Sequence, residues 1–399
     1  MPGALDGYRI LDLTINVLGP LATQTLGDMG ADVIKVEQLS GDDVRYIGPA
    51  RHDGMSAFFL NVNRNKRSIS LNLKSKAGKE ALQRLIKTAD VFVHSVRAKS
   101  MEKLGFGYDS VARINPNIIY ACANGFSQTG PYADRPAYDD IVQAASGFGM
   151  LNKRLYGKPG YAPMPIIDKI VGLILASSVT TALLHRERTG EGQSVEVPMF
   201  ESITAFNLVE HLYGKVFEPP LADMGYPRAF NRYRRPFKTR DGYIGVMPNT
   251  QAHWHTFFGV IGQPALREDP RFTDFAQRTI HIDDLYGVID QALPEKTTDE
   301  WIRLFLEADI PCAKVNDLDD LLEEEHLKAV GYFQRVEHPT EGTIRLTDVP
   351  VKYSKSPGAI QRLAPNLGEH TRALLEELGY SEKEVSEMAE SGAIRTFDS

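Results

Sequence analysis

One carboxylate, Asp168, stands in the segment Pro163-Met164-Pro165-Ile166-Ile167-Asp168-Lys169-Ile170, with no other acid between Asp140 and Glu187. After it the chain is apolar or small at nearly every position from Ile170 to Leu184. That pattern predicts a long helix buried on most faces. His185-Arg186-Glu187-Arg188-Thr189-Gly190 ends it: cations suit the negative end of the helix dipole, and glycine suits a left-handed stop. The stretch is too short and too rich in Ser, Thr and Gly to read as a membrane span. A lone acid at the positive end of a buried helix has two readings. It is a cap, for which Asp is a preferred residue, or it is a nucleophile that the helix end keeps ionised. Spacing alone favours the cap.

Other chemistry is thinner. Glu37 lies roughly 20 residues after a glycine-containing turn, the place of an acid that grips a dinucleotide ribose. The turn, however, is Val17-Leu18-Gly19-Pro20-Leu21-Ala22 and lacks the G-x-G-x-x-G pattern. No phosphate-loop motif, no G-x-S-x-G elbow and no H-E-x-x-H spacing occurs. His253 and His255 flank Trp254 and read as packed or surface residues rather than ligands. Lys66, Arg67, Lys74, Arg97, Lys99 and Lys103 fall near strand ends or in the loops after them. Each alone reads as solvated; as a set on one sheet edge they would neutralise a phosphorylated cofactor.

These residues need a scaffold, and the first third of the chain supplies one. Tyr8 to Leu13, Ala31 to Glu37, Ser68 to Leu73, Asp90 to His94 and Ile118 to Ala123 read as strands, with helices over Pro20 to Met29 and Ser75 to Lys87. The β-α-β rhythm predicts an α/β fold with a largely parallel sheet, whose ligands bind beyond the carboxyl ends of the strands. After Val197 the texture changes. Glu201 to Tyr213 reads as a helix, Asp241-Gly242 as a hairpin turn and Thr298 to Ala308 as a helix. Phe333 to Tyr353 reads as strands, and the end of the chain as helices from Gly368. The acidic run from Asp317 to Glu325 reads as a solvated helix face. This divides the chain into a large domain over 1–224, a smaller α+β domain over 225–330 and a return segment over 331–399.

The 399 residues are 42% hydrophobic and 24% charged, ordinary globular composition for two domains. A net charge of -7 argues against nonspecific nucleic-acid binding. Two distant cysteines, Cys122 and Cys312, read as buried thiols of a reducing compartment. The N-terminus lacks a basic stretch followed by an apolar one, so the expected location is the cytoplasm, with no membrane partner.

The motifs, taken together, carry a resemblance. Leu11-Asp12-Leu13-Thr14, Gly30-Ala31-Asp32-Val33-Ile34-Lys35-Val36-Glu37 with Gly41-Asp42 and Arg45, and Asn65-Lys66-Arg67-Ser68-Ile69 resemble the opening of class III CoA transferases of the CaiB/BaiF type. The likeness continues through Gly125-Phe126-Ser127-Gln128-Thr129-Gly130-Pro131-Tyr132, Tyr138-Asp139 with Gln143-Ala144, and Arg188-Thr189-Gly190-Glu191-Gly192-Gln193. It ends with Ile310-Pro311-Cys312 and Leu367-Gly368-Glu369-His370-Thr371, so it spans essentially the whole chain.

The resemblance implies a Rossmann-like large domain built from both chain ends, a smaller middle domain and an interlocked homodimer. It implies Asp168 as the catalytic residue, attacking an acyl-CoA thioester and passing through aspartyl anhydride and aspartyl-CoA intermediates to a carboxylic acid acceptor. Coenzyme A is then a substrate, with no tightly bound cofactor and no metal. By motif match, Leu71, Asn72, Leu73 and Lys74 fall where the family holds the CoA nucleotide. Arg97 and Lys103 follow the next strand, and Tyr138 and Asp139 lie close to the thioester. The formyl-CoA branch carries Gln at the position of Val17 and a Gly-rich loop in the small domain; both are missing here, so formate and oxalate are not the expected substrates. The sister acyl-CoA racemases use a His where this chain has Tyr138, a poor base at neutral pH. Racemase or epimerase activity, and a non-catalytic CoA-binding protein with Asp168 reduced to a cap, are the alternatives.

Overall fold

Strands covered on both faces must bury every side chain, so their residues alternate between two cores rather than between core and water. In a computed structural model of the chain, which describes residues 2–397, this holds for β1 (Arg9–Leu13), β2 (Asp32–Glu37), β3 (Lys66–Leu71), β4 (Val91–His94) and β5 (Ile119–Asn124), buried along nearly their whole length. With β6 (Gln193–Pro198) they form a parallel sheet in the order β3-β2-β1-β4-β5-β6. The two-residue strand Ile394–Arg395 pairs antiparallel with Leu71 and Ser70 on the β3 edge, so the chain's end completes a sheet begun by its start.

The helices between strands are α1 (Leu18–Asp28), α2 (Ala57–Val62), α3 (Lys76–Thr88), α4 (Ala98–Leu104), α5 (Tyr108–Ile114), α6 (Asp139–Ala145), α7 (Phe148–Tyr156), α8 (Ile166–Thr189) and α9 (Met199–His211). Adjacent residues of β1 point to opposite layers. Leu11 meets Leu82 and Leu85 of α3 and Leu374 and Leu375 of the C-terminal helices. Ile10 meets the layer of Leu18, Ala22 and Leu26 of α1 and Val171, Leu175 and Val179 of α8. Sheet order reverses between β1 and β4. The loops leaving those two strands therefore diverge and open a crevice at the carboxyl edge, where ligands of such sheets sit.

The buried strands also carry charge, and it is paired. Lys66 Nζ reaches Asp12 Oδ2 at 2.9 Å, the Pro20 carbonyl and Asn63 Oδ1. Asp12 takes further hydrogen bonds from Thr14 and Thr23. Burial alone would raise the Asp12 pKa, but Lys66 and Lys35 hold it well below the carboxylate range. Lys35 pairs with Asp42 at 2.9 Å, and Arg45 with Glu37 at 2.7 Å.

Two compact units result: one from Met1–Phe148, Tyr161–Asn207 and Ala329–Ser399, the other from Gly149–Gly160 and Leu208–Lys328. The smaller unit thus starts earlier than the expected 225 and takes in a detached piece. The Gly225 and Tyr226 N–H groups donate to the His211 carbonyl and Nδ1, and Arg154 donates to the Met224 carbonyl, tying these segments together. Within it, β7 (Phe237–Lys238), β8 (Tyr243–Val246) and β9 (Cys312–Lys314) form an antiparallel sheet with its first turn at Asp241-Gly242. Around it lie α10 (Gln251–Val260), α11 (Phe275–Ile280), α12 (Ile282–Ala292) and α13 (Thr298–Glu307), over an aromatic core of Trp254, Phe257, Phe258, Trp301 and Phe305. The acidic run is not one helix: Asp320–Glu323 forms a single turn, Glu324 adopts an extended conformation, and Glu325 starts a separate short helix, Glu325–Ala329. The expected strands after Phe333 are a hairpin in the larger unit, β10 (Phe333–His338) with β11 (Gly342–Thr347).

Candidate active site

α8 is longer than its apolar run. It starts at Ile166, so Asp168 is its third residue rather than its cap; the cap position is Pro165, which has no side-chain hydrogen bond to offer. At 24 residues the helix reaches membrane-spanning length, against the expectation. One face of it is built into the sheet's core through Ile167, Val171, Leu175, Val179 and Leu183. Gly190 adopts the left-handed conformation at φ 78° and closes the helix as its sequence indicated.

What sets α8 against α1 is Gly172. A Cβ on it would come within 2.7 Å of the Leu18 carbonyl oxygen, so only glycine admits this approach. Asp168 precedes Gly172 by four residues and shares its helix face. The first turn of α8 is therefore registered on the first turn of α1, which follows directly from the loop after β1.

Asp168's backbone N–H donates to Asp139 Oδ2 at 2.9 Å. Asp139 opens α6, is 7% exposed, and accepts a second hydrogen bond from Gln143 Nε2 at 2.5 Å. Gln143 in turn accepts the Ala162 N–H at 2.8 Å, so one amide side chain locks α6 to the segment that leads into α8. Among the described residues, nothing hydrogen-bonds the Asp168 carboxylate. The helix end does not keep its acidity ordinary: burial, then the neighbouring Asp139 charge, push its pKa up to about 7. The helix end is expected to favour the ionised form, and burial and the Asp139 charge work against it. A half-ionised, unpaired, half-buried acid is what a nucleophile or a general acid/base needs. Tyr138, the residue before Asp139, is 69% exposed.

A cleft of about 620 Å³ opens at the carboxyl edge, walled by Thr14 and Ile15 after β1, Gln38 to Asp42 after β2, Leu71 to Lys74 after β3, and Val96, Met101 and Leu104 after β4. It gathers four of the expected nucleotide contacts, Leu71, Asn72, Leu73 and Lys74. Asn72 is held by Ala393 and Gly392 of the return segment and caps the Lys74 N–H. Arg97 and Lys103 do not line the cleft, but each adjoins a residue that does, and both are exposed. Other expected phosphate cations are spent elsewhere. Lys66 is buried on Asp12; Arg67 pairs with Asp32 and Glu377; Lys99 pairs with Asp134. Glu37 is no ribose reader, being occupied by Arg45 and Ser68.

Sequence reasoning missed the Gln38–Asp42 wall and Gln143, although Gly41-Asp42 and Gln143-Ala144 stand among the quoted motifs. It also missed Asn16, left-handed at φ 65° with its N–H on Asp42 Oδ1 at 3.1 Å, which shapes the turn after β1. Both cysteines are free, their thiol pKa values raised by burial, and no cluster of metal-ligating residues occurs among the described residues.

Known proteins are similar to the chain in sequence and fold. The chain is 32% identical to the mouse (Mus musculus) succinyl-CoA:glutarate CoA-transferase, over 99% of this chain and 91% of that protein. It is 34% identical to the formyl-CoA:oxalate CoA-transferase of Afipia carboxidovorans, over 99% and 98%. The crystal structure of Rv3272 from Mycobacterium tuberculosis superposes with a TM-score of 0.80 at 32% identity, over 94% of this chain and 99% of that one. The family model described as CoA-transferase family III matches residues 5–371, and the chain belongs to that family.

Proposed function

We propose that this enzyme moves CoA from an acyl-CoA thioester to a small carboxylic acid with Asp168 as covalent nucleophile. The observation that carries the reading is the Asp168 carboxylate itself: unpaired and half-buried beside Asp139, with burial and that neighbour pushing its pKa up to about 7. An Asp residue at its ordinary acidity is a weaker nucleophile, and a fully protonated one is none.

In the proposed cycle the Asp168 carboxylate attacks the thioester carbonyl and the C–S bond breaks. This gives an aspartyl–acyl anhydride and CoA thiolate. The thiolate attacks the aspartyl carbonyl, releasing the donor acid as its carboxylate and leaving an aspartyl-CoA thioester. The acceptor carboxylate then attacks that thioester, forming a second anhydride and freeing the thiolate. Attack of the thiolate on the acceptor's acyl carbonyl yields the new acyl-CoA and regenerates Asp168. Charge balances at each step without a metal or an external proton. The cleft after β1 to β4 is the proposed seat of the CoA nucleotide, with Lys74, Arg97 and Lys103 as the free cations at its rim.

The succinyl donor and glutarate acceptor named for a relative support a short acyl group and a small acid as the substrates. A homodimer is the proposed assembly. Less than half of the most apolar stretch of α8 is buried in one chain, with Leu173 and Leu184 exposed, and a second copy would cover that face.

Incubating the protein with acyl-CoA and then hydroxylamine or borohydride, followed by mass analysis of the Asp168 peptide, tests the reading. A modified Asp168 is expected. Solvent deuterium entering the substrate α-carbon without an adduct would instead support the racemase alternative.

A further inference from the structure

Residues 226–237 of the smaller unit, rich in arginine and aromatic side chains, have no role in this chemistry. Among them, Arg228 and Arg232 line a cavity of about 810 Å³ formed between residues 213–232 and 275–284, wholly inside that unit. Among the described residues neither arginine pairs with a carboxylate. Two acids do stand on the cavity wall, but each is committed elsewhere: Asp283 accepts from Asn231, and Asp284 from Arg271. Arg228 is half-buried, interacts with the hydroxyls of Tyr286 and Tyr226, and lies 6.0 Å over the Phe275 ring.

A half-buried guanidinium without a counterion is costly, and its planar fork matches a carboxylate. The remaining walls are apolar or aromatic, including Phe230, Phe275 and Ile280. The volume lies in the range of small organic ligands. From this we propose that the smaller unit holds a binding pocket for an organic carboxylate with an apolar body, its anionic end anchored by Arg228. A phosphate would bring a double charge against Asp283 and Asp284 and leave the apolar walls unfilled. The proposal stands apart from the role given to Asp168.

Hydrogen–deuterium exchange of the full-length protein, with hexanoate as probe and hexanol and inorganic phosphate as controls, tests it. Hexanoate is expected to slow exchange in residues 226–232 and 279–286, while the controls leave both segments unchanged. Arg228→Gln should weaken this protection at least about tenfold, the loss expected of a charge-assisted fork, and Arg228→Lys less. Asp168→Asn should leave it intact. Equal protection by phosphate would reduce the site to a cation patch, and equal protection by hexanol to an apolar one. Protection that survives Arg228→Gln, disappears in Asp168→Asn, or never develops would each overturn the proposal.

Discussion

The backbone N–H of Asp168 donates to Asp139 Oδ2 at 2.9 Å, so the acid that fixes the start of α8 is also a charge that acts on the Asp168 carboxylate. Positioning and electrostatics therefore come from one residue. Asp139 holds the reactive turn in place while raising the Asp168 pKa, burial being the larger cause.

Asp139→Asn separates the two effects. The asparagine oxygen still accepts the Asp168 N–H, but the negative charge is gone. With Asp168 as nucleophile, kcat/KM of the native enzyme should rise with pH through about 7 and level above it, because only the ionised form attacks. In Asp139→Asn that rise should move to lower pH, and the plateau should fall, since a less basic carboxylate attacks more slowly. The new amide also meets Gln143 Nε2 donor to donor, so some stability is lost; adding Gln143→Glu, which can accept from Asn, should restore part of it. A pH–rate profile from pH 5 to 9 reads the shift. An unmoved midpoint would remove Asp139 from the tuning of Asp168.

Asp168 should also cost the fold stability at alkaline pH. Its native pKa of about 7 exceeds the ordinary 3.8, so between these values the native state holds a proton that the unfolded chain has lost. Stability contributed by the protonated acid is full below about 4 and is lost as pH rises through 7. Asn mimics the protonated acid and cannot ionise. Asp168→Asn is therefore expected to melt near the native temperature at low pH and above it at pH 8, while transferase activity falls by about three orders of magnitude or more. Thermal melts across this range, paired with an activity assay, check both halves. A variant that transfers CoA at the native rate would rule out the covalent role.

Much of the scaffold behind these effects can be read in the residues. Strand runs such as Val91-Phe92-Val93 and the cations and glycine after Leu184 act locally, and local signals survive in sequence. α8 starts before the expected position because the apolar run begins at Ile170 and Asp168 reads as its cap, whereas Pro165 takes the cap position, where a missing N–H costs nothing. Lys66 and Arg67 read as phosphate ligands because their partners are distant in sequence: Asp32 lies on the adjacent strand β2 and Asp12 two strands away on β1, brought in only by the sheet's register. Gln143 is similar. It has no local signal, and its bridge from Asp139 to Ala162 exists only once α6 and the α8 leader meet.

Gly172 couples packing to chemistry. With the Leu18 carbonyl oxygen 2.7 Å from a would-be Cβ, Gly172→Ala must push α8 away from α1. Overpacking of this kind costs about 1–3 kcal/mol. Because Asp168 lies one turn away on the same helix, kcat should fall further than the lost stability explains, with KM for acyl-CoA little changed. Denaturant unfolding and steady-state kinetics on one preparation distinguish this from simple destabilisation; a native kcat in the surviving folded fraction would show that Gly172 serves packing alone.

The two classes of lysine should part cleanly under mutation. Lys66 is fully buried against Asp12, so Lys66→Met strands a carboxylate in the core and is expected to cost about 3–5 kcal/mol of folding stability. Lys74 is exposed at the cleft rim, as are Arg97 and Lys103 beside its lining. Replacing each by Ala should leave the melting temperature nearly unchanged and raise KM for acyl-CoA about three- to tenfold, as expected for exposed charge contacts to phosphate. The triple variant should also flatten the salt dependence of kcat/KM, because the lost interactions are those that salt screens. Measuring KM at low and high ionic strength provides the check. If the triple variant keeps both its KM and its salt dependence, the nucleotide sits elsewhere and the cleft after β1 to β4 is not its seat.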